Sequence, residues 1–378
     1  MASSFAPSPR RAGTLQSILS YIPRFSSDDA GASRQKRKKA LLIGINYLTL
    51  AKGRGRLYKS HNDVDIIQKL LIGWLRIFFS SRPPADYLPM PDIYDYKLEN
   101  ITVMIDNDKA PYHLQPNREN IEREMTNLVA GPIEEGDEFF IYYAGHATQC
   151  KERVPNTERD HQDEYLLPVD AIDKDIENVV LDNALIDNRL REILVQPLIQ
   201  TDVGCQLIAI MDACTSGTIL DLDHDECNKV IGWKSRFLEV PPGVKSRVRA
   251  GISDWLRDPV FACNRVCNRK WSQVKANVIC ISACEDSQTI VELPDGKTLA
   301  GNLDVYLRKC KRPVLKKLNR HIYKQFKETH RKLWKSYNEE MTHHKKKLRG
   351  KPPQRPPELD KPQITSLKPL RMNTTLKL

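Results

Sequence analysis

Five short apolar runs, each followed by a segment of different period, constrain this chain more than any other feature. They are "KKALLIGINY", "NITVMID", "DEFFIYYAGHA", "QLIAIMDAC" and "NVICISAC". Each has the length of a strand buried on both faces rather than of a core helix. Between them lie helical patterns. Val64, Ile67, Leu71, Leu75 and Phe78 recur behind the polar start "SHND"; Ile121, Met125 and Leu128 share one face; "ALIDNRLREIL" predicts a further helix. Strands alternating with helices predict a parallel sheet covered by helices on its faces. A long basic helix follows, with Leu315, Leu318, Ile322, Phe326, Leu333 and Tyr337 on one side, and then a Pro-rich linker leading to a last short strand, "QITSL".

The flanks of this pattern differ from it. Residues 1–35 are rich in Ser, Pro, Ala and Arg without hydrophobic period, which predicts a disordered leader ahead of one large domain over 36–378. Residues 218–275 contain Pro241-Pro242-Gly243 and scattered Lys/Arg, which predicts a long loop between the fourth and fifth strands. The leader has no apolar signal core and no run reaches the roughly 18 apolar residues of a membrane helix, so a cytoplasmic or nuclear address without membrane attachment is expected.

Nine cysteines without a signal peptide argue for reduced thiols rather than a disulfide framework. Cys263 with Cys267 and Cys280 with Cys284 have a spacing that invites zinc. Cys280 and Cys284, however, share one face of an apolar strand, and core packing is the preferred reading. The net charge of +11 is concentrated: 17 of the 59 Lys/Arg and only three of the 48 acids lie between Arg308 and Lys351. A helical row of that kind suffices for nonspecific phosphate contact, although a solvated outer face is the reading favoured by sequence.

Reactive groups of an open parallel sheet gather beyond the carboxyl ends of its strands. His146 ends the third run and Cys214 the fourth. A thiol is a weak nucleophile at neutral pH until an imidazole takes its proton, so this pair makes an acyl-transfer site. Gly145 and the small residues Ala213, Thr215, Ser216 and Gly217 would let a substrate backbone approach main-chain N–H groups.

From Lys38 onward the chain resembles the metacaspases, caspase-like cysteine peptidases of the compact fungal and protist type. The resemblance rests on "ALLIGINY" with "HNDV", "FFIYYAGHA", "DEYLLPVD", "MDACTSGTILDL", "ISACEDSQT" and "PQITSLKPL", in that order. It implies a caspase-like α/β sandwich with a mostly parallel sheet of about six strands, and an endopeptidase that cuts protein or peptide substrates after Arg or Lys as a monomer. It implies Cys214 as nucleophile and His146 as general base, with the main-chain N–H groups of Cys214 and Ala147 forming the oxyanion hole. Asp63 and Asp212 match the substrate pocket, and a carboxylate pair suits the forked donors of a guanidinium.

No cofactor is required for this chemistry, but calcium activates several members of the family. The matching ligands are Asp163, Asp187, Asn188 and Asp221, with Asn188 standing where the family usually has a second aspartate. Self-processing is expected in the loop at Lys234, Arg236, Lys245, Arg247 or Arg249. Thr215, Ala144 and the "GHA" ending depart from the family pattern, and "PDGKTLAGNLDVYLRK" matches its Gly-rich stretch poorly. A catalytically weak interaction protein is therefore the alternative reading. Retention of His146, Cys214, Asp63 and Asp212 favours the enzyme.

Overall fold

The computed structural model describes residues 36–73, 94–155, 161–214, 217–224, 273–284, 298–310, 313–347 and, within the C-terminal stretch, 352–353, 355–356, 359, 361–370 and 374–376. The leader, Leu75, Phe78, Thr215, Ser216, Cys263, Cys267 and the five expected cleavage positions lie outside the described residues.

All five apolar runs are strands of one sheet. They are β1 (Lys38–Gly44), β2 (Ile101–Ile105), β3 (Glu138–Ala144), β7 (Gln206–Asp212) and β8 (Asn277–Ser282), joined at one edge by β9 (Gln363–Ser366). The order is β2-β1-β3-β7-β8-β9, parallel throughout except for the antiparallel β9. The expected mostly parallel sheet of six strands is the one observed.

Alternate side chains of each strand enter two separate cores, as a period of two requires. Phe139, Ile141 and Tyr143 point to one face, with Leu207, Ala209 and Met211. There they meet Ile121, Met125 and Leu128 of α2 (Arg118–Val129), Leu190 and Leu194 of α3 (Asp187–Leu194), and Leu198 of the single-turn α4 (Gln196–Ile199). Phe140, Tyr142, Ile208 and Ile210 point the other way. They are covered by Val64, Ile67 and Leu71 of α1 (Ser60–Leu71), Leu299, Leu303 and Leu307 of α5 (Leu299–Lys309), and Leu315, Leu318 and Ile322 of α6 (Leu315–Lys347). Cys280 and Cys284 are buried, so the packing reading of that pair holds, and no disulfide joins the six described cysteines.

The expected helix at "ALIDNRLREIL" starts later than its apolar spacing suggests. Leu185 and Ile186 form β6, which pairs with Leu166 and Tyr165, and the helix begins only at Asp187. With β4 (Ala147–Lys151) and β5 (Gln162–Leu166), β6 builds a second, antiparallel sheet of order β4-β5-β6 that the sequence pattern does not announce. Among the described residues no helix is long and apolar enough to cross a membrane.

Candidate functional site

The pairing of β3 with β7 places the two reactive residues. Ala144 stands opposite Asp212 in the parallel register, so His146 and Cys214 each lie two residues beyond the same rung. Both are half-buried at the carboxyl edge of the sheet.

His146 is fixed from three sides. Its main-chain N–H donates to the Tyr47 hydroxyl at 2.8 Å, and its carbonyl accepts from the Tyr143 hydroxyl at 2.9 Å and from Leu167 N at 3.0 Å. The Tyr47 ring lies against the imidazole, with centroids 4.7 Å apart. Its Nε2 lies 2.5 Å from the Gly55 carbonyl oxygen. A carbonyl can only accept, so Nε2 carries the proton and Nδ1 keeps the lone pair. A main-chain carbonyl thus does the orienting that a carboxylate does in many triads. Gly55 can present it because its φ of +104° suits glycine, and a Cβ there would meet Ile176 Cβ at 2.8 Å. Burial pushes the His146 pKa down, partly opposed by the bond to Gly55. The ring is therefore neutral near pH 7, the state a general base requires.

Tyr47 is held in turn by Asp106. The residue adopts a left-handed φ of 53°, which costs about 1–3 kcal/mol in a non-glycine residue unless its surroundings enforce it. Asp106 enforces it by accepting the N–H of Asn46 at 2.7 Å and of Leu48 at 2.8 Å, while His61 Nε2 lies 2.6 Å from the same carboxylate. Tyr47, Gly55 and Asp106 do not stand out in the sequence. The only signal for them is the Gly-containing loop after "GINY" and the carboxylate ending "TVMID".

The two proposed pocket carboxylates have separate hydrogen-bond partners, Tyr142 for Asp212 and Thr298 for Asp63. Asp63 in α1 is buried, and Asp212 ends β7; the Tyr142 hydroxyl donates to Asp212 Oδ2 at 3.2 Å. Burial, and after it the charges of Asp212 and Asp63, raise the Tyr142 phenol well above its usual range. Asp63 Oδ1 also accepts from Thr298 Oγ1 at 2.7 Å, and the same Thr298 oxygen caps α5 by accepting Gly301 N at 3.2 Å. The N-terminus of α5 is thereby tied to Asp63, inside the stretch that matched the family pattern poorly.

The four residues named for calcium are less well gathered. Asp163 and Asp187 are buried and near enough for the charge of Asp163 to add to the burial that raises the Asp187 pKa. The Asp187 oxygens accept the N–H groups of Glu164 at 2.6 Å and Asn188 at 2.5 Å, and Asp163 Oδ2 accepts Arg153 N at 2.9 Å. Asn188 is exposed, and the Asp221 carbonyl is bonded by the Arg191 guanidinium. A guanidinium beside a donor set opposes a second cation. Among the described residues no three His, Cys, Asp or Glu side chains are gathered to hold a metal. Of the four, only the Asp163 and Asp187 side chains are placed near one another in this arrangement. Glu164, also buried, instead joins Gln149 and Thr218 through hydrogen bonds of 2.8 Å each.

Residues 88–223 match the family described as the metacaspase, peptidase C14 domain. The chain is 30% identical over 279 residues to Metacaspase-1 of Cryptococcus neoformans, covering 70% of this chain and 53% of that protein. It is 30% identical to Metacaspase-1 of Schizosaccharomyces pombe (68% and 55% covered) and 34% identical over 188 residues to Metacaspase-1A of Neurospora crassa (50% and 34% covered). The chain therefore spans between about a third and just over half of the length of these relatives. A Geobacter sulfurreducens protein of solved structure aligns over 76% of this chain and 89% of its own at 18% identity, with a TM-score of 0.41.

Proposed function

The chain belongs to the metacaspase family, and from that premise we propose that it is a cysteine endopeptidase that cleaves after Arg or Lys. The observation that carries this reading is the common rung from which His146 and Cys214 project, with Nε2 committed to Gly55. In the proposed reaction the Cys214 thiol gives its proton to His146 Nδ1 and the sulfur attacks the scissile carbonyl. The oxyanion is met by the main-chain N–H groups of Cys214 and Ala147. As the C–N bond breaks, the imidazolium protonates the leaving amine. Water, deprotonated by the same ring, then hydrolyses the thioester and restores the thiol.

Asp63 and Asp212 supply the preference for a cation at the residue before the cut, since two carboxylates attract a guanidinium and repel a substrate carboxylate. No step runs through calcium. We assign the ion at most a weak stimulating role, in the roughly millimolar range of charge-poor sites, because Asn188 replaces a carboxylate and Arg191 occupies the Asp221 carbonyl. Self-processing is proposed within the expected 218–275 loop, at Lys234, Arg236, Lys245, Arg247 or Arg249.

The test is hydrolysis of Arg-, Lys- and Asp-ended peptides by the purified chain, with and without calcium, beside Cys214→Ala. Turnover of Arg- and Lys-ended peptides alone, abolished by the substitution, is expected. Equal turnover of Asp-ended peptides would remove the pocket assignment. Absence of turnover with every peptide would favour the non-catalytic reading.

A further inference from the structure

The long helix α6 does more than its packing requires. Only its first turns are anchored, through Leu315, Leu318 and Ile322, yet it runs on to Lys347. Lys317, Arg320, Lys324, Lys327, Arg331 and Lys335 are all exposed. With 3.6 residues per turn they fall within about 80° of the helix circumference, in a row about 27 Å long. The apolar side chains Ile322, Phe326, Leu333 and Tyr337 take the opposite side.

A solvated helix face ordinarily mixes charges so that i,i+4 pairs attract. Here Arg320 faces Lys324, Lys327 faces Arg331, and Arg331 faces Lys335, each a like-charge pair that destabilises an isolated helix. The first turn carries Lys316 and Lys317 and no acid, which opposes the helix dipole. Within the row the one ion pair among the described residues is Lys335 with Glu339 at 3.9 Å. The sequence alone favoured a solvated face. Glu328, four residues after Lys324, and Glu339, paired with Lys335, are the acids beside these six cations; the remaining excess of positive charge argues instead for a ligand of opposite charge.

We infer that this face of α6 binds the phosphate backbone of double-stranded nucleic acid without reading its bases. A straight, rigid row of six cations suits a regular line of phosphates. A membrane surface would call for large apolar side chains beside the row to enter the lipid. Among the described residues of α6, however, Tyr323 is the one large hydrophobic side chain that is exposed, and Trp334 lies under Arg355 at 5.4 Å. Single strands are gripped by successive aromatic platforms, which the row does not offer.

The experiment is fluorescence anisotropy of the full chain with a labelled 20-base-pair DNA duplex of arbitrary sequence, across a salt series. Six phosphate contacts predict a slope of log K against log salt of about −5, hence about a thousandfold loss between 50 and 200 mM salt. The joint substitution Lys324→Gln, Lys327→Gln and Arg331→Gln lowers the magnitude of the slope by about three for duplexes of any sequence. Circular dichroism verifies that the variant keeps its helix content. If it does not, lysine acetylation footprinting of the unaltered chain, with and without duplex, reports the bound face through protection of Lys317, Lys324, Lys327 and Lys335. No binding at 50 mM salt, an unchanged slope in a folded variant, no lysine protection, or tighter binding to phosphatidylserine vesicles or to single strands than to duplex each overturns the assignment. Peptide hydrolysis is read separately, so failure here leaves the peptidase reading standing, and the converse holds.

Discussion

Replacing Tyr47 by Phe removes one oxygen from the site and isolates what holds the His146 imidazole, the proposed general base. The ring stays, with its 4.7 Å contact to His146. What is lost is the acceptor for His146 N at 2.8 Å and the donor to the Leu167 carbonyl at 2.5 Å. The Leu167 carbonyl keeps a share of the Tyr143 hydroxyl proton at 3.2 Å, which the His146 carbonyl also accepts at 2.9 Å. The His146 N–H loses its acceptor in a site where Tyr47 is only 1% exposed. A buried donor without a partner costs about 1–3 kcal/mol. For a chain of 378 residues that corresponds to a Tm lower by about 1–4 °C. The imidazole is displaced with its main chain, and a misplacement on the order of 1 Å costs up to about a hundredfold in rate. We therefore expect Tyr47→Phe to lower kcat by about tenfold with KM for an Arg-ended peptide nearly unchanged. The acid limb of the pH profile should move little, because burial, the largest cause of the lowered His146 pKa, is kept. The measurements are calorimetry and steady-state hydrolysis from pH 5 to 8. A variant with the lower Tm but kcat within twofold of the parent would refute the positioning role and leave Tyr47 a packing residue.

Three further outcomes are expected. Gly145→Ala would set a Cβ 2.8 Å from the Tyr143 hydroxyl oxygen and 3.1 Å from that of Tyr47, so stability should fall by about 1–3 kcal/mol, read by urea denaturation, with kcat falling alongside. Because burial lowers the His146 pKa, the imidazole stays neutral further into acid, and the acid limb of kcat/KM should lie below the ordinary histidine value of about 6.5; a midpoint above that value contradicts the burial argument. Asn188→Asp should reduce the calcium needed for half-maximal stimulation, and if neither a chelator nor this substitution alters the rate, Asp163, Asp187, Asn188 and Asp221 hold no activating calcium.

The sheet was legible because its strands are buried on both faces: Leu41, Phe140, Ile208 and Ile279 leave runs that no half-exposed element would produce. The helix of Ile121, Met125 and Leu128 was legible for the matching reason, a single buried stripe. The small sheet was not. Ala147–Lys151 is half-exposed along most of its length and β6 has two residues, too few to set a period. Leu185 and Ile186 also continue the apolar spacing of α3, so only their pairing with β5 separates them from it. His146 and Cys214 could be singled out because each follows the carboxyl end of a strand by two residues. The groups that position the site could not, since they act across long stretches of chain: the Gly55 carbonyl lies 91 residues from His146, and the Thr298 hydroxyl lies 235 from Asp63.

Thr298 is the case in which the missing signal has the largest consequence. Its one hydroxyl donates to the buried Asp63 carboxylate and accepts Gly301 N, so the start of α5 and Asp63 meet at one oxygen. Loss of a helix cap costs about 1 kcal/mol and loss of a hydrogen bond to a charged group about 1.5–3 kcal/mol. These are two sides of a single group, and Thr298→Val should cost about 2–3 kcal/mol. Val keeps the shape of the side chain, so the change tests the hydroxyl rather than the packing, and Thr298→Ser should restore most of the stability. On the proposed peptidase reading Asp63 loses one of its hydrogen-bond donors, and KM for Arg-ended peptides should rise more than kcat falls. Denaturant titration and steady-state kinetics on the three proteins decide the matter. If Val and Ser variants are equally destabilised, the methyl group rather than the hydroxyl holds α5. If Val loses stability while KM for Arg stays at the parent value, Thr298 secures the helix and Asp63 takes no part in recognising the substrate cation.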